Sequence, residues 1–152
     1  MLAPMPTIEE LAARLDRVES ILTLHRLSAD YCRGADRRDL DLFLSVWTPK
    51  AVWAPRENVV YTGTDEIAEA IERQWRSVKR AFHWTSNGAI DVDGDAATAR
   101  FDVDAELELL DGTWIAVAGE YRDAFVRVKG RWRMSQRLVA IHSQFALARS
   151  IA

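Results

Sequence analysis

The chain contains a single cysteine, Cys32, among its 152 residues, so it has neither a disulfide framework nor a metal site built on several thiolates. No apolar run approaches the roughly 20 residues needed to cross a bilayer. The first residues lack the basic start and apolar stretch of a signal peptide. These absences predict a cytoplasmic protein that does not associate with membranes, while a secreted protein without disulfides stays open.

The chain also lacks an excess of positive charge. Lys and Arg number 20 against 23 Asp and Glu, which gives a formal net charge of −3. Without a dense basic stripe, nucleic acid is not an expected partner. Only seven Gly and four Pro occur in a composition that is 49% hydrophobic. This composition is globular and predicts one domain spanning residues 1–152.

Several motifs of cofactor and nucleophile chemistry are also missing. There is no Gly-x-Gly-x-x-Gly after a strand, no P-loop and no Gly-x-Ser-x-Gly. Nicotinamide, nucleotide and serine-hydrolase functions therefore lack support, and we expect no cofactor. The three histidines are not spaced as H-x-x-x-H or H-x-H, so no metal is expected either.

Three helices are predicted in the first half of the chain. Thr7 and Glu10 form a capping box, and apolar residues recur at helical spacing from Ile8 to the Gly34 region. A helix this long is expected to bend or break near Glu19–Ser20, leaving an outer arm that packs on the body or on a second subunit. A short helix capped by Asp39 follows and is expected to run to Trp47, before Thr48-Pro49.

The third helix is predicted to open at Thr64, with an apolar face formed by Ile67, Ile71, Trp75 and Val78. Two short strands precede it, and long alternating strands follow Ala81. The predicted strands cover 51–54, 59–61, 82–92, 96–110, 113–128 and 131–146. Short Gly-containing joints between the last four predict antiparallel hairpins. The fold class is therefore α+β: a curled antiparallel sheet forming a cone, with the N-terminal helices closing its cavity.

Two polar residues framed by apolar ones are the strongest functional candidates: Asp36, before the second helix, and His83, in Phe-His-Trp. An imidazole and a carboxylate that meet in an apolar cavity form a general base with an orienting partner. Each also has a structural interpretation, because Asp36 could cap a helix in competition with Asp39, and a lone strand histidine is commonly structural. Alternation along the strand places His83 on the face opposite Phe82 and Trp84.

Other side chains are candidates for contacting a ligand. Tyr31 is either a core tyrosine or a cavity-facing phenol that donates a hydrogen bond to a substrate oxygen. Arg137 is either paired with an acid such as Glu120 or Asp123, or anchors a substrate carboxylate or phosphate. Among the six tryptophans, the candidates to line an apolar pocket are Trp47, Trp53 and Trp84.

The order of these motifs resembles the SnoaL-like branch of the nuclear transport factor 2-like, cystatin-like superfamily. The shared features are Tyr-x-x-x-x-Asp at the end of a helix, a Gly-Thr-Asp-Glu-Ile helix start, Phe-His-Trp-Thr-Ser-Asn on a strand, Gly-Glu-Tyr-Arg-Asp and Gly-Arg-Trp-Arg. The superfamily contains enzymes, subunits and non-catalytic binders, so the resemblance specifies the fold better than the activity.

Within that branch, Tyr31, Asp36 and His83 are most similar to positions of bile-acid dehydratase, scytalone dehydratase and hexachlorocyclohexane dehydrochlorinase. The resemblance implies that His83 removes a proton from carbon, that Asp36 orients it and that Tyr31 assists an oxygen. The second pocket histidine of scytalone dehydratase has no counterpart, because this region carries Asp104 and Glu106.

These observations predict a cofactor-independent lyase or isomerase, dehydratase-like, acting on a small hydrophobic and cyclic substrate. Two alternatives stay open: a non-catalytic ligand-binding or subunit-assembly module of the same fold, and a polyketide-type cyclase. A homodimer or homotrimer is expected through the broad sheet face carrying Trp114, Ala116, Ala118 and Val126.

Overall fold

The computed structural model of the protein describes residues 5–148. Within this range three helices and six strands follow one another along the chain. Their bounds are α1 (Ile8–Arg37), α2 (Leu40–Ser45), β1 (Trp47–Arg56), β2 (Val59–Thr62), α3 (Thr64–Ser77), β3 (Val78–Asp93), β4 (Ala96–Leu109), β5 (Trp114–Val128) and β6 (Arg131–Leu147). The α+β class predicted from the sequence is confirmed.

The six strands form one curled, unclosed sheet in the order β2-β1-β6-β5-β4-β3. The four long strands β3 to β6 pair as consecutive antiparallel hairpins, as the Gly-containing joints predict. The exception is β1, which lies parallel to β6, with Trp53 beside Arg137. This parallel pairing attaches the β1–β2 hairpin to the last strand and completes one wall of the cone.

The long first helix begins as predicted. The Thr7 side chain accepts a hydrogen bond from the backbone N–H of Glu10, and the Glu10 carboxylate accepts one from the backbone N–H of Thr7. The sequence predicts a bend or a break near Glu19–Ser20, and no break occurs there, because α1 is continuous over 30 residues. No proline or glycine interrupts this region, and the Ser20 hydroxyl is buried and accepts a hydrogen bond from the Trp132 indole at 3.1 Å. The helix therefore continues without interruption from its exposed start into the core.

Two other boundaries differ from the prediction. Helix α2 ends at Ser45, and Trp47 is the first residue of β1, with Pro49 inside that strand. Val78 belongs to β3, not to the apolar face of α3. Both errors fall where an apolar helix face continues directly into a buried strand, because periodicity cannot show where one ends and the other begins.

The sheet has two faces of different character. Its concave face packs against α1 and the short helices and carries Phe101, Tyr121 and Phe125, which are all buried. On the other face, Phe82 stacks on Trp84 and on Trp114 at ring-centroid distances of 6.3 and 6.2 Å. Association of two copies through this outer face stays a prediction.

None of the helices within residues 5–148 is long and apolar enough to span a bilayer.

A close approach between α1 and α2 makes Gly34 sensitive to substitution. A Cβ at Gly34 would lie 2.6 Å from the backbone nitrogen of Phe43 and 2.7 Å from its Cα. We expect Gly34→Ala to destabilise the protein by about 1–3 kcal/mol, because overpacking outweighs the gain in helix propensity. Urea denaturation measures the change, with Arg33→Ala on the exposed side of the same turn as the control. An equal or higher stability of Gly34→Ala would contradict the close packing.

Candidate active site

Asp36 and His83 meet where the end of α1 crosses β3. One carboxylate oxygen of Asp36 lies 2.5 Å from His83 Nδ1, and the other accepts a hydrogen bond from the His83 backbone N–H at 2.9 Å. Their side chains are 19% and 13% exposed, respectively. The carboxylate thus holds both the backbone and the ring of one residue, which fixes the orientation of the imidazole.

Asp36 is available for this contact because another residue caps the following helix. The Asp39 side chain accepts the hydrogen bond from the Leu42 backbone at 2.9 Å, so Asp39 is the N-cap of α2. Two further bonds fix this end of α1 to its neighbours. The Trp75 indole donates to the Ala35 carbonyl at 2.8 Å, and the Arg38 guanidinium donates to the Val78 carbonyl at 2.7 Å.

The His83 ring lies at the wall of a cavity of about 450 Å³. Helices α1 and α3, strands β1 and β2 and the concave sheet face contribute to this cavity, and its inner wall is made largely of buried side chains. These include Tyr31, Trp53, Val103, Ala105 and Tyr121. The volume falls within the range of ordinary small-molecule sites.

Tyr31 and Trp53 meet at the base of the cavity. The Trp53 indole donates a hydrogen bond to the Tyr31 hydroxyl at 3.1 Å. Burial raises the pKa of the Tyr31 phenol well above its ordinary value. The phenol therefore stays protonated at neutral pH, and its oxygen already accepts a bond, so its proton can be donated to a ligand. The nearby Cys32 is buried, and burial raises the pKa of its thiol to about 11, so it is not a thiolate nucleophile.

Of the two predicted roles of Arg137, the structure supports the ion pair with Asp123 and not the substrate anchor. Its side chain is fully buried and forms two hydrogen bonds with the carboxylate of Asp123, at 2.8 and 2.6 Å. A third bond reaches the Ser28 hydroxyl at 2.9 Å. The guanidinium carbon lies 4.2 Å from the ring centroid of Tyr31 and 3.9 Å from that of Tyr121. Arg137 therefore lies behind the cavity wall and holds the two tyrosines in place.

Of the three tryptophans predicted to line the pocket, only Trp53 does so. Trp47 is buried behind it, with ring centroids 6.4 Å apart. Trp84 lies on the outer face of the sheet, because adjacent residues of a strand point to opposite faces and His83 points inward. Asp104 and Glu106 also lie on that outer face, beside Trp84 in a shallow groove, so neither supplies an acid to the cavity.

Sequence reasoning missed most of the remaining lining. Three neighbouring strands supply part of it, through Val103, Val117, Tyr121 and Val139. The sequence shows the alternation of apolar and polar residues along these strands, but alternation does not reveal which face of the sheet is concave. Two arginines, Arg56 and Arg73, also line the cavity and had no distinguishing pattern.

This arrangement is suited to general base chemistry. With Nδ1 engaged by Asp36, Nε2 is the ring nitrogen left to accept a proton from a ligand. The Asp36 carboxylate stabilises the imidazolium that forms when it does. The Tyr31 phenol is a hydrogen-bond donor in the same cavity.

Comparison with known proteins agrees with this fold. A family model described as a SnoaL-like domain matches residues 16–138. No protein of curated function matches the chain significantly in sequence. Among solved structures, hexachlorocyclohexane dehydrochlorinase LinA type 2 superposes with a TM-score of 0.84 at 24% identity, over 89% of this chain and 93% of that one.

Two further structures show the same fold. LinA superposes with a TM-score of 0.82 at 25% identity, over 89% of this chain and 94% of that one. A scytalone dehydratase-like protein from Novosphingobium aromaticivorans DSM 12444 has a TM-score of 0.80 at 20% identity, over 88% of this chain and 91% of that one. The family model covers most of the chain and the folds agree, so the protein belongs to the SnoaL-like family of the nuclear transport factor 2-like superfamily.

Proposed function

We propose that the protein is a cofactor-independent lyase or isomerase, dehydratase-like, that removes a proton from a carbon atom of a small, ring-bearing substrate. The observation that carries the proposal is the Asp36–His83 pair at the wall of a ligand-sized cavity. The structural likeness to a dehydrochlorinase and to a scytalone dehydratase-like protein supports the same class of chemistry.

In the proposed reaction, His83 Nε2 takes the proton while Asp36 stabilises the resulting imidazolium. The Tyr31 phenol donates a hydrogen bond to the oxygen that is polarised or departs. The same imidazolium can return the proton, either to another carbon in an isomerisation or to the leaving group in an elimination. The buried walls limit access of water to the carbanion-like state.

The proposed substrate class follows from the shape and lining of the cavity. The aromatic rings of Trp53, Tyr61 and Tyr121 form part of its wall, and a flat apolar ligand packs well against such surfaces. The alternative of a non-catalytic binding module predicts a sealed polar pair. The His83 side chain is instead partly exposed and contributes to the cavity surface, which favours the enzyme.

Proton abstraction can be tested with an artificial substrate, so that the natural substrate need not be known. A base removes the ring C–H proton of 5-nitrobenzisoxazole, the N–O bond breaks, and a coloured nitrile-bearing phenolate forms. We expect the protein to accelerate this reaction above the buffer rate, and His83→Gln to lower kcat/KM by about 10²–10⁴-fold, the usual contribution of a positioned general base. His142→Gln, an exposed histidine near the end of β6, is the matched control. If His83→Gln reacts as fast as the wild type, the binding-module alternative is the better account.

A further inference from the structure

The charges around the cavity are of one sign. Among its lining residues are two arginines, Arg56 and Arg73, and no aspartate, glutamate or lysine. This is unusual in a chain whose acids outnumber its bases. Arg73 pairs with Glu69, one helical turn away at 3.6 Å, and Glu69 does not line the cavity.

The two arginines lie at the opening of the cavity. Both are exposed, whereas the lining residues of the inner wall, such as Trp53 and Tyr121, are buried. Arg56 ends β1, and Arg73 projects from α3 with its guanidinium 5.5 Å from the Tyr61 ring centroid. The cavity therefore combines an apolar, aromatic interior with a cationic rim.

We propose that the ligand of this cavity is an amphiphile, with an apolar ring in the interior and an anionic group, carboxylate or phosphate, held by Arg56 and Arg73. Guanidinium groups bind both anions through paired N–H donors. The anionic group would orient the ring relative to His83 and would draw the ligand to the opening by long-range attraction. This inference rests on the proposed function, because it names the substrate class of the same site.

Three probes of similar shape test the charge requirement: 2-naphthoate, 2-naphthyl phosphate and neutral 2-naphthamide, each titrated calorimetrically. We expect one or both anions to bind more tightly than the amide, and the tighter anion identifies the group. In Arg56→Gln/Arg73→Gln the anion affinity should fall about 10- to 100-fold, the range for loss of hydrogen bonds to a charged group. Added salt should weaken anion binding in the wild type.

The matched control is Arg76→Gln, which removes an exposed arginine from the same helix without touching the cavity lining. This variant should bind all three probes as the wild type does. If the three probes bind alike and the double variant changes nothing, the charge inference is wrong while the cavity remains a ligand site. If none of the three binds while the protein still accelerates the 5-nitrobenzisoxazole reaction, the inference about the substrate class is wrong and the proposed function stands; if that reaction is not accelerated either, both fail.

A second, independent observation concerns the start of α1. Ile8, Leu11, Leu15, Val18 and Leu22 follow a three-four spacing and form one stripe, and their exposed fractions lie between 49% and 83%. This is the a/d pattern of a coiled coil. An uninterrupted apolar stripe in water is a surface that another apolar helix can cover.

The body of the protein contacts the opposite side of this helix. Arg17 donates to the Val92 carbonyl at 3.0 Å, Asp16 pairs with Arg127, and Ser20 bonds to Trp132. These residues lie about half a helical turn away from the stripe, which we call the α1 seam. A second helix laid along the α1 seam would therefore lie on the side of α1 that faces away from these contacts with the body.

We infer that the α1 seam pairs in parallel with the α1 seam of a second copy of this chain. The charges flanking the seam suit this partner, because Arg14 occupies a g position and Glu19 the following e position. In a parallel, in-register pair, each Arg14 faces Glu19 of the other copy, which gives two ion pairs. This interface differs from the outer sheet face predicted from the sequence.

Sedimentation equilibrium tests this interface. We expect a concentration-dependent dimer that weakens at least tenfold in Leu11→Lys/Leu15→Lys and is unchanged in Ala13→Lys, which lies outside the seam. In Ile8→Cys, mild oxidation should link the two copies, because parallel pairing brings residue 8 beside its equivalent and the native Cys32 is buried. A wild type that stays monomeric at the highest concentration tested, or a dimer that persists in the double-lysine variant, contradicts the inference.

Discussion

Asp123→Asn is expected to destabilise the protein by about 3–5 kcal/mol, because it leaves the fully buried Arg137 guanidinium without its counter-charge. The asparagine can accept a hydrogen bond but cannot neutralise the cation. One guanidinium nitrogen, Nη1, already lacks a hydrogen-bond partner among the described residues, so the site has no spare acceptor. Urea denaturation followed by tryptophan fluorescence measures the loss.

A surface ion pair on the same strand provides the comparison. Glu120 pairs with the exposed Arg122, and Glu120→Gln should change stability little. The double variant Asp123→Leu/Arg137→Met should be more stable than Asp123→Asn, because it removes both charges and fills the space with apolar atoms. If Asp123→Asn is as stable as Glu120→Gln, the buried pair is not the structural support of Tyr31 and Tyr121 that we describe.

Asp36→Asn is expected to lower kcat/KM for 5-nitrobenzisoxazole by about 10³–10⁴-fold, by analogy with removal of the orienting carboxylate in Ser-His-Asp enzymes. The amide can turn its NH₂ group toward His83 Nδ1, which favours the tautomer with the proton on Nε2. In that tautomer Nε2 cannot accept a proton from carbon. Steady-state kinetics of Asp36→Asn and of the wild type, measured side by side, give the ratio of their kcat/KM values.

Asp39→Asn is the matched control for this prediction. Asp39 is three residues along the chain and caps α2, and asparagine is an equally good N-cap. This variant should keep both stability and turnover. Retention of full turnover by Asp36→Asn would show that the carboxylate is structural, as in the helix-capping interpretation of the sequence.

The hairpins and the helices of this fold could be predicted because they depend on local patterns. Gly94 and Gly130 both adopt positive φ. Each lies in a turn that is predicted by the short Gly-containing segment between two strands. The parallel pairing of β1 with β6 could not be predicted in this way. It joins segments far apart in sequence, and no local pattern specifies a partner strand.

The misplaced site residues have a related cause. In β6 the register shifts between the pairs Ala124–Gln136 and Phe125–Met134, which leaves Ser135 as an extra residue. The buried positions accordingly pass from Met134 to Arg137, three residues on, and the two-residue alternation changes phase. A β-bulge of this kind turns Arg137 inward, and nothing in the alternation pattern marks it. Trp84 is a simpler case. Adjacent residues of a strand point to opposite faces, so Trp84 points away from the cavity that His83 faces.

The Asp36–His83 pair could be predicted because its two residues belong to a recognisable family pattern. Their contact depends on a helix end meeting a strand 47 residues later. The cationic rim of the cavity had no such pattern. Exposed arginines are common on any surface, and only the fold shows that Arg56 and Arg73 share an opening.

The central claim is that Asp36 holds His83 with Nδ1 protonated and Nε2 ready to accept a proton. A ¹⁵N–¹H correlation spectrum of the imidazole rings tests this directly, with His83→Gln to assign the signals. We predict that neutral His83 carries its proton on Nδ1 in the wild type, and on Nε2 in a substantial fraction of Asp36→Asn. A wild-type His83 protonated on Nε2, with no change in Asp36→Asn, would contradict the account.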